Sequence, residues 1–104
     1  MLGGVAVIET MTFGLIDGAR EDAFLAVDKR VQSDFAYRQP GLIRRTTGRR
    51  SGDGDGGWIV LDLWHSAEDA DRAASRWDDD PTANEFMSFV DVSSVEVRRY
   101  TDLD

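Results

Sequence analysis

The hydrophobic pattern of this 104-residue chain predicts an α+β domain of strand–helix–strand–strand–helix–strand order, the ferredoxin-like split-βαβ arrangement. In that arrangement a four-stranded antiparallel sheet carries its helices on one face. Three observations point there. Four stretches are rich in β-branched and aromatic residues, as half-buried strands are. Two intervening stretches repeat their apolar residues every three to four positions. The changes of period fall on turn residues, at Asp17-Gly18, Gln39-Pro40-Gly41, the glycine-rich 52–57 and Asp80-Pro81.

The first strand spans Val5 to Ile16. One face carries Val5, Val7, Glu9, Met11, Phe13 and Leu15, the other Ala6, Ile8, Thr10, Thr12, Gly14 and Ile16. Asp17, or a near neighbour, is placed to cap the helix that follows. That helix runs from Arg20 to Tyr37 on the spacing of Phe24, Val27, Val31 and Phe35, and Pro40 ends it. Leu42 to Gly48 is the second strand, and the polar segment to Gly57 is its hairpin connection to the third, Trp58 to His65. Ser66 opens the next helix, with Asp69 three positions on and an inward stripe of Ala70, Ala73, Ala74 and Trp77. Asp80 caps a short helix with Pro81 in its first turn and Phe86, Phe89 and Val90 inward. Val92 to Thr101 is the last strand.

One domain, residues 1–104, accounts for the length. The absence of cysteine excludes disulfides and thiolate chemistry, and a single histidine excludes a multi-histidine zinc centre within one chain. A formal net charge of −8 argues against nucleic acid or an anionic membrane as partner. The cations are eleven arginines and Lys29. The N-terminus lacks a basic region before its short apolar run, and no apolar stretch is long enough to span a bilayer, so a cytoplasmic protein is expected. The first and third strands are apolar on both faces, which a sheet covered on one side does not explain. Two copies packing sheet to sheet would cover the remainder, so a homodimer is expected.

Four segments carry a family resemblance. They are the helix exit Gln39-Pro40-Gly41-Leu42, the strand Trp58-Ile59-Val60-Leu61-Asp62-Leu63-Trp64, the helix start Ser66-Ala67-Glu68-Asp69-Ala70, and Asp80-Pro81 followed by Phe86. In these the chain resembles, over nearly its whole length, the antibiotic-biosynthesis-monooxygenase-like group of dimeric α+β barrel proteins. The resemblance implies a cofactor-independent monooxygenase or a related isomerase, acting on a small aromatic or hydrophobic molecule in a pocket between helices and sheet. The alternative is a non-catalytic homodimeric binding or accessory protein on the same scaffold. Trp64 matches the tryptophan that lines the pocket of haem-degrading relatives. Those relatives carry an asparagine where this chain has Thr10, and a second-helix histidine where it reads Ala73-Ala74-Ser75-Arg76. Without that axial ligand the resemblance implies no haem, and no cofactor is expected.

Given Trp64 in the cavity, Asp62 shares its face about 6.5–7 Å along the strand. A carboxylate among apolar and aromatic groups is pushed toward a neutral pKa, which suits a general base removing a phenol or enol proton. The plainer alternative is an ion pair with an arginine of a neighbouring strand and Trp64 as ordinary core. Arg44 and Arg45 are adjacent, so one faces each side of the sheet. The candidate for the cavity is Arg44, holding an enolate oxygen or a substrate carboxylate, with Arg45 left open. Thr10, Tyr37, Trp77, Phe86 and Met87 are candidate ligand contacts, or plain core. His65 beside Trp64 points the other way and fits a surface or dimer-rim position. Ser51, Asp53, Asp55, Gly56 and Asp62 match a calcium-loop spacing, but strands rather than helices flank them, so no metal is expected and a hairpin tip is the better reading.

Overall fold

The computed structural model describes residues 5–52 and 57–104. Its elements are β1 (Val7–Leu15), α1 (Glu21–Asp34), a 3₁₀ turn (Ala36–Arg38), β2 (Leu42–Arg49), β3 (Trp58–Trp64), α2 (Ala67–Trp77), α3 (Pro81–Ser88) and β4 (Val90–Thr101). The sheet order is β2-β3-β1-β4, with every neighbouring pair antiparallel. This is the expected ferredoxin-like α+β fold.

Register fixes which side chains meet. Val7, Glu9, Met11 and Phe13 on β1 pair with Trp64, Asp62, Val60 and Trp58 on β3, so all eight share one face. That face takes the helices. Phe24, Val27 and Val31 of α1 and Phe86 of α3 pack there against Phe13, Trp58 and Val60. Phe24 is the hub, its ring edge-on to Trp58 at 5.0 Å and to Phe13 at 5.9 Å. The opposite face carries Ile8, Thr10, Ile59, Leu61 and Leu63, all half-buried, with Tyr100 exposed beside them.

Helix boundaries follow local chemistry. Ser66 accepts from the Asp69 N–H at 3.1 Å, and Asp80 accepts from the Ala83 N–H at 2.8 Å, as their positions lead one to expect. The Ser66 hydroxyl also donates to the Asp69 carboxylate, so Asp69 holds the cap side chain rather than reaching back to a backbone N–H. Asp17 does not cap α1. The N-cap is Arg20, without a side-chain cap, and Glu21 and Asp22 instead place negative charge at the helix's positive end. Helix α1 is also shorter than its apolar spacing suggests. Phe35 leaves the helical region, and the chain tightens into a 3₁₀ turn before Pro40. Strand β4 begins at Val90, two residues early. Of the calcium-like spacing, Asp53, Asp55 and Gly56 lie outside the described residues, and Asp62 sits inside β3. No group of three or more potential metal ligands occurs among the described residues, and none of their helices is long and apolar enough to cross a membrane.

Two bends in the backbone matter for the site. Gly41 has φ +88°, and a Cβ there would lie 2.2 Å from the Asp69 carboxylate, so only glycine lets the start of α2 dock on the β2 entry. Just beyond it, Leu42 pairs with Trp64 while Arg44 pairs with Leu63, leaving Ile43 as a β-bulge. We expect Gly41→Ala to destabilise the fold by at least ~1–2 kcal/mol, read from urea denaturation, because it combines a disfavoured backbone region with that clash.

A candidate active-site pocket under an alanine-faced helix

The helix layer packs densely at one end of the sheet and leaves a hollow at the other. At the dense end, α1 and α3 bring large aromatic side chains. At the other end, α2 turns Ala70, Ala73 and Ala74 toward the sheet. Methyl groups cannot fill the distance from a helix to a sheet, so space remains. A recess of about 80 Å³ lies against Trp64, Ala70, Ala73 and Phe35. It adjoins a pocket of about 310 Å³ bounded by Met11, Val60 and Val97, with Glu9, Arg45, Asp62, Ala74 and Trp77 common to both. Val97 on the edge strand is 58% exposed, and the outer pocket opens beside it.

The polar groups of this pocket form a chain of charges. Arg45 is buried, 6% exposed, and its guanidinium is held from α1 and β2. Its Nη2 donates to Asp28 Oδ1 at 2.8 Å, and its Nη1 donates to Thr47 Oγ1 at 3.3 Å and Gln32 Oε1 at 3.4 Å. Thr47 in turn donates to Asp28 Oδ1 at 3.0 Å. Only Nε is left toward Asp62, and it stays 4.0 Å from Asp62 Oδ1, too far for a hydrogen bond. Asp62 Oδ1 is accordingly buried without a hydrogen-bond partner, as is Trp64 Nε1. Across the pocket, Arg99 of β4 donates to Glu9 at 2.9 Å and to Asp71 of α2 at 2.6 Å, tying the edge strand to the helix.

This arrangement moves the Asp62 pKa up to about 6. Burial is the main cause. Arg45 pulls the other way but incompletely, and the negative charges of Glu9 and Asp28 add to the rise. A carboxyl near 6 is largely ionised at neutral pH and still basic enough to take a proton from an acidic C–H or O–H.

Among the residues the sequence suggests, Asp62, Trp64 and Trp77 line the hollow. Five do not. Arg44 is exposed on the outer face; the bulge at Ile43 shifts the alternation by one and gives the inner position to Arg45. Thr10 pairs with Leu61 and lies on the outer face, opposite to Trp64. Tyr37 is half-exposed, and its hydroxyl serves the backbone of the β2 edge, accepting from the Arg45 N–H at 2.8 Å. Phe86 is wholly buried in the aromatic core, and Met87 packs against that core. His65 is exposed past the end of β3 and does not line the pocket.

Glu9, Asp28 and Arg45 belong to the site; pattern reasoning leaves Arg45 open beside Arg44 and does not single out Glu9 or Asp28 as pocket residues. Glu9 had a signal, since it is a charge among Val7, Met11 and Phe13 on an otherwise apolar face. Asp28 had a weaker one, a carboxylate adjoining Val27 on the buried stripe of α1. A larger hollow of about 480 Å³ near Phe13, Trp58, Arg49 and Arg50 has no carboxylate among the described residues that line it.

Neither a protein-family model nor a curated protein matches the chain. Solved structures do. SnoaB, described as a cofactor-independent oxygenase from Streptomyces nogalater, superimposes with a TM-score of 0.77 at 22% identity, over 97% of this chain and 96% of that one. A putative antibiotic biosynthesis monooxygenase from Chloroflexus aurantiacus gives 0.65 at 15% identity, over 95% and 94%. A possible oxidoreductase of unknown function from Bacteroides thetaiotaomicron gives 0.71 at 12% identity, over 95% and 99%. The chain has the antibiotic-biosynthesis-monooxygenase-like fold. Identities at this level establish the shared fold, and the site is argued from this chain's own residues.

The raised pKa of Asp62 has a consequence for stability. The folded chain holds the Asp62 proton more tightly than the unfolded chain, whose carboxyl titrates near 4, as free aspartates do. Its contribution to stability is therefore greatest below about pH 4, declines as pH rises to about 6, and is flat above. Asp62→Asn should be more stable than the parent by ~2 kcal/mol at pH 8, with the gain shrinking toward nothing at pH 4. Paired denaturant titrations at the two pH values check this.

Proposed function

We propose that this protein is a cofactor-independent monooxygenase, or a related isomerase, whose substrate is a small aromatic or hydrophobic molecule held under α2. The observation that carries the reading is the half-buried carboxylate of Asp62, its Oδ1 without a hydrogen-bond partner, at the inner wall of a 310 Å³ pocket that Met11, Val60, Ala74, Trp77 and Val97 line together with Glu9, Arg45 and Asp78. The likeness of the fold to a cofactor-independent oxygenase supports it.

In the oxygenase reading, Asp62 removes a proton from an acidic ring carbon or its enol. The resulting carbanion gives electrons to dioxygen. Over the whole reaction a CH₂ becomes C=O, one oxygen atom enters the product and the other leaves as water. Trp64 supplies an indole N–H without a protein acceptor, available to an oxygen that develops negative charge nearby. Trp77, Met11 and Val97 provide the apolar surface against which a ring lies. In the isomerase reading the same proton returns to another carbon and no oxygen is consumed.

The non-catalytic reading retains one supporting observation. Arg45, the buried cation of the pocket, already spends its Nη donors on Asp28, Thr47 and Gln32, so it is not free to hold an enolate. Oxygen uptake with an anthrone-type substrate separates the two. The enzyme reading predicts turnover that Asp62→Asn lowers at least ~100-fold and Trp64→Phe lowers less, while Arg44→Ala leaves it unchanged. Its rate should fall below about pH 6 as Asp62 takes up a proton. Tight binding without uptake across a panel of such compounds would favour the binding module.

The second part of the proposal is a homodimer through the outer sheet face. Ile8, Ile59, Leu61 and Leu63 form a half-buried apolar strip there, with Ile43 and Tyr100 exposed near it. Leu61→Lys should shift the chain from dimer to monomer in light scattering. A parent chain that is already monomeric at micromolar concentration would remove this part of the proposal.

A further inference from the structure

The odd feature of the pocket is that a buried arginine and a half-buried aspartate face each other without a hydrogen bond. Arg45 and Asp62 are direct partners across β2 and β3, and nothing in the register keeps them apart. Opposite charges so placed ordinarily close to under 3 Å. Here Nε and Oδ1 stand 4.0 Å apart. What separates them comes from the other layer. Asp28 on α1 takes Arg45 Nη2 at 2.8 Å, and Thr47, bonded to the same Asp28 oxygen, takes Nη1. The fork of the guanidinium thus points at the helix, and only its stem faces Asp62.

We infer that Asp28 is a positioning residue that reserves Arg45, so that the pocket presents Asp62 as a free base and accepts neutral hydrogen-bond donors while refusing carboxylates. The inference rests on the functional reading above and assigns that site its ligand charge. Two consequences follow from the geometry. Asp62 keeps a lone pair unbonded, which a substrate hydroxyl or acidic C–H can use. A substrate carboxylate would find no free cation in the pocket, because the second arginine near it, Arg99, is engaged by Glu9 and Asp71. It would meet Asp62 and Glu9 instead, and like charges in a poorly hydrated cavity repel.

Every charged group around Asp62 bears on the test. Glu9 faces it from β1, Arg45 from β2 and Asp28 from α1, while Asp78 at the end of α2 lines the outer pocket. Replacing Asp28 by a neutral residue removes one negative charge and frees the Nη donors of Arg45 to turn into the pocket, toward Asp62 or a bound carboxylate. Both changes stabilise the Asp62 carboxylate, so its proton affinity must fall.

The experiment is an NMR titration of the Asp62 side-chain carboxyl in the intact chain and in Asp28→Asn, together with binding of 2-naphthol and 2-naphthoate to each. The inference predicts that Asp28→Asn lowers the Asp62 midpoint by about one unit or more, weakens 2-naphthol and strengthens 2-naphthoate by about tenfold. An unmoved midpoint and an unchanged preference would overturn it. Because Asp28 is buried and its loss can unfold the chain, Thr47→Val is the milder variant. It removes a link of the clamp and leaves both charges, and it should move both readouts the same way by a smaller amount. In Asp28→Asn/Arg45→Gln the shift toward 2-naphthoate should vanish, and its persistence would also overturn the inference. None of these readouts needs turnover. A chain without oxygenase activity that still shows the shifts would sink the enzyme reading and keep this one.

Discussion

The ion pair between Arg45 and Asp28 is the constraint on which the pocket depends. Burying two charges costs several kcal/mol of solvation, and a pair returns that only with good geometry and further hydrogen bonds. Here the further bonds are present: the guanidinium donates to Thr47 and Gln32, and Thr47 donates to the carboxylate. Tyr37 fixes the backbone of the same residue from the far side of the edge strand. The pair therefore pins α1 to β2 at one location and sets the direction of the buried cation in the pocket. That direction leaves Asp62 with burial and two neighbouring carboxylates raising its pKa and only a distant cation lowering it.

Packing supplies the second half of the site. The same sheet face is covered in two ways. Around Phe24 the rings of Phe13 and Trp58 pack edge to face and those of Phe86 and Phe89 at a tilt. Around Trp64 the covering residues are alanines, which hold the helix close at Ala70 and Ala73 and leave room beside Ala74. One end of the domain is thus a core and the other a container. Helix α2 stays in place through its termini and rim, by the Ser66 cap, the Asp69 approach to Gly41 and the Arg99 bridge to Asp71. A helix fixed in that way keeps a cavity that its own side chains do not fill.

Much of this was legible in the sequence because it follows from period and capping. The order of elements, the shared face of Trp58, Val60, Asp62 and Trp64, and the caps at Ser66 and Asp80 need only alternation and hydrogen-bonding chemistry. The failures have a common physical origin in events that pattern does not encode. Choosing Arg44 over Arg45 requires knowing that Ile43 bulges, and a single extra residue reverses every side chain after it. Resemblance points Thr10 to the pocket, whereas its own alternation with Glu9 and Met11 puts it on the other face. Tyr37, Phe86 and Met87 are aromatic or apolar residues near a helix end, and composition alone does not tell core from pocket wall. Asp28 needed the third dimension, since its partner lies on another layer of the fold.

The central claim is that the half-buried carboxylate of Asp62 is held 4.0 Å from Arg45, without a hydrogen bond to it, and so keeps the proton affinity that a base requires. Its most direct measurement is the titration midpoint of that one side chain in the unaltered protein, followed by carbon-detected NMR. The account predicts a midpoint near 6. A midpoint at about 4 or below would show Asp62 to be a solvated or fully paired carboxylate and would contradict it.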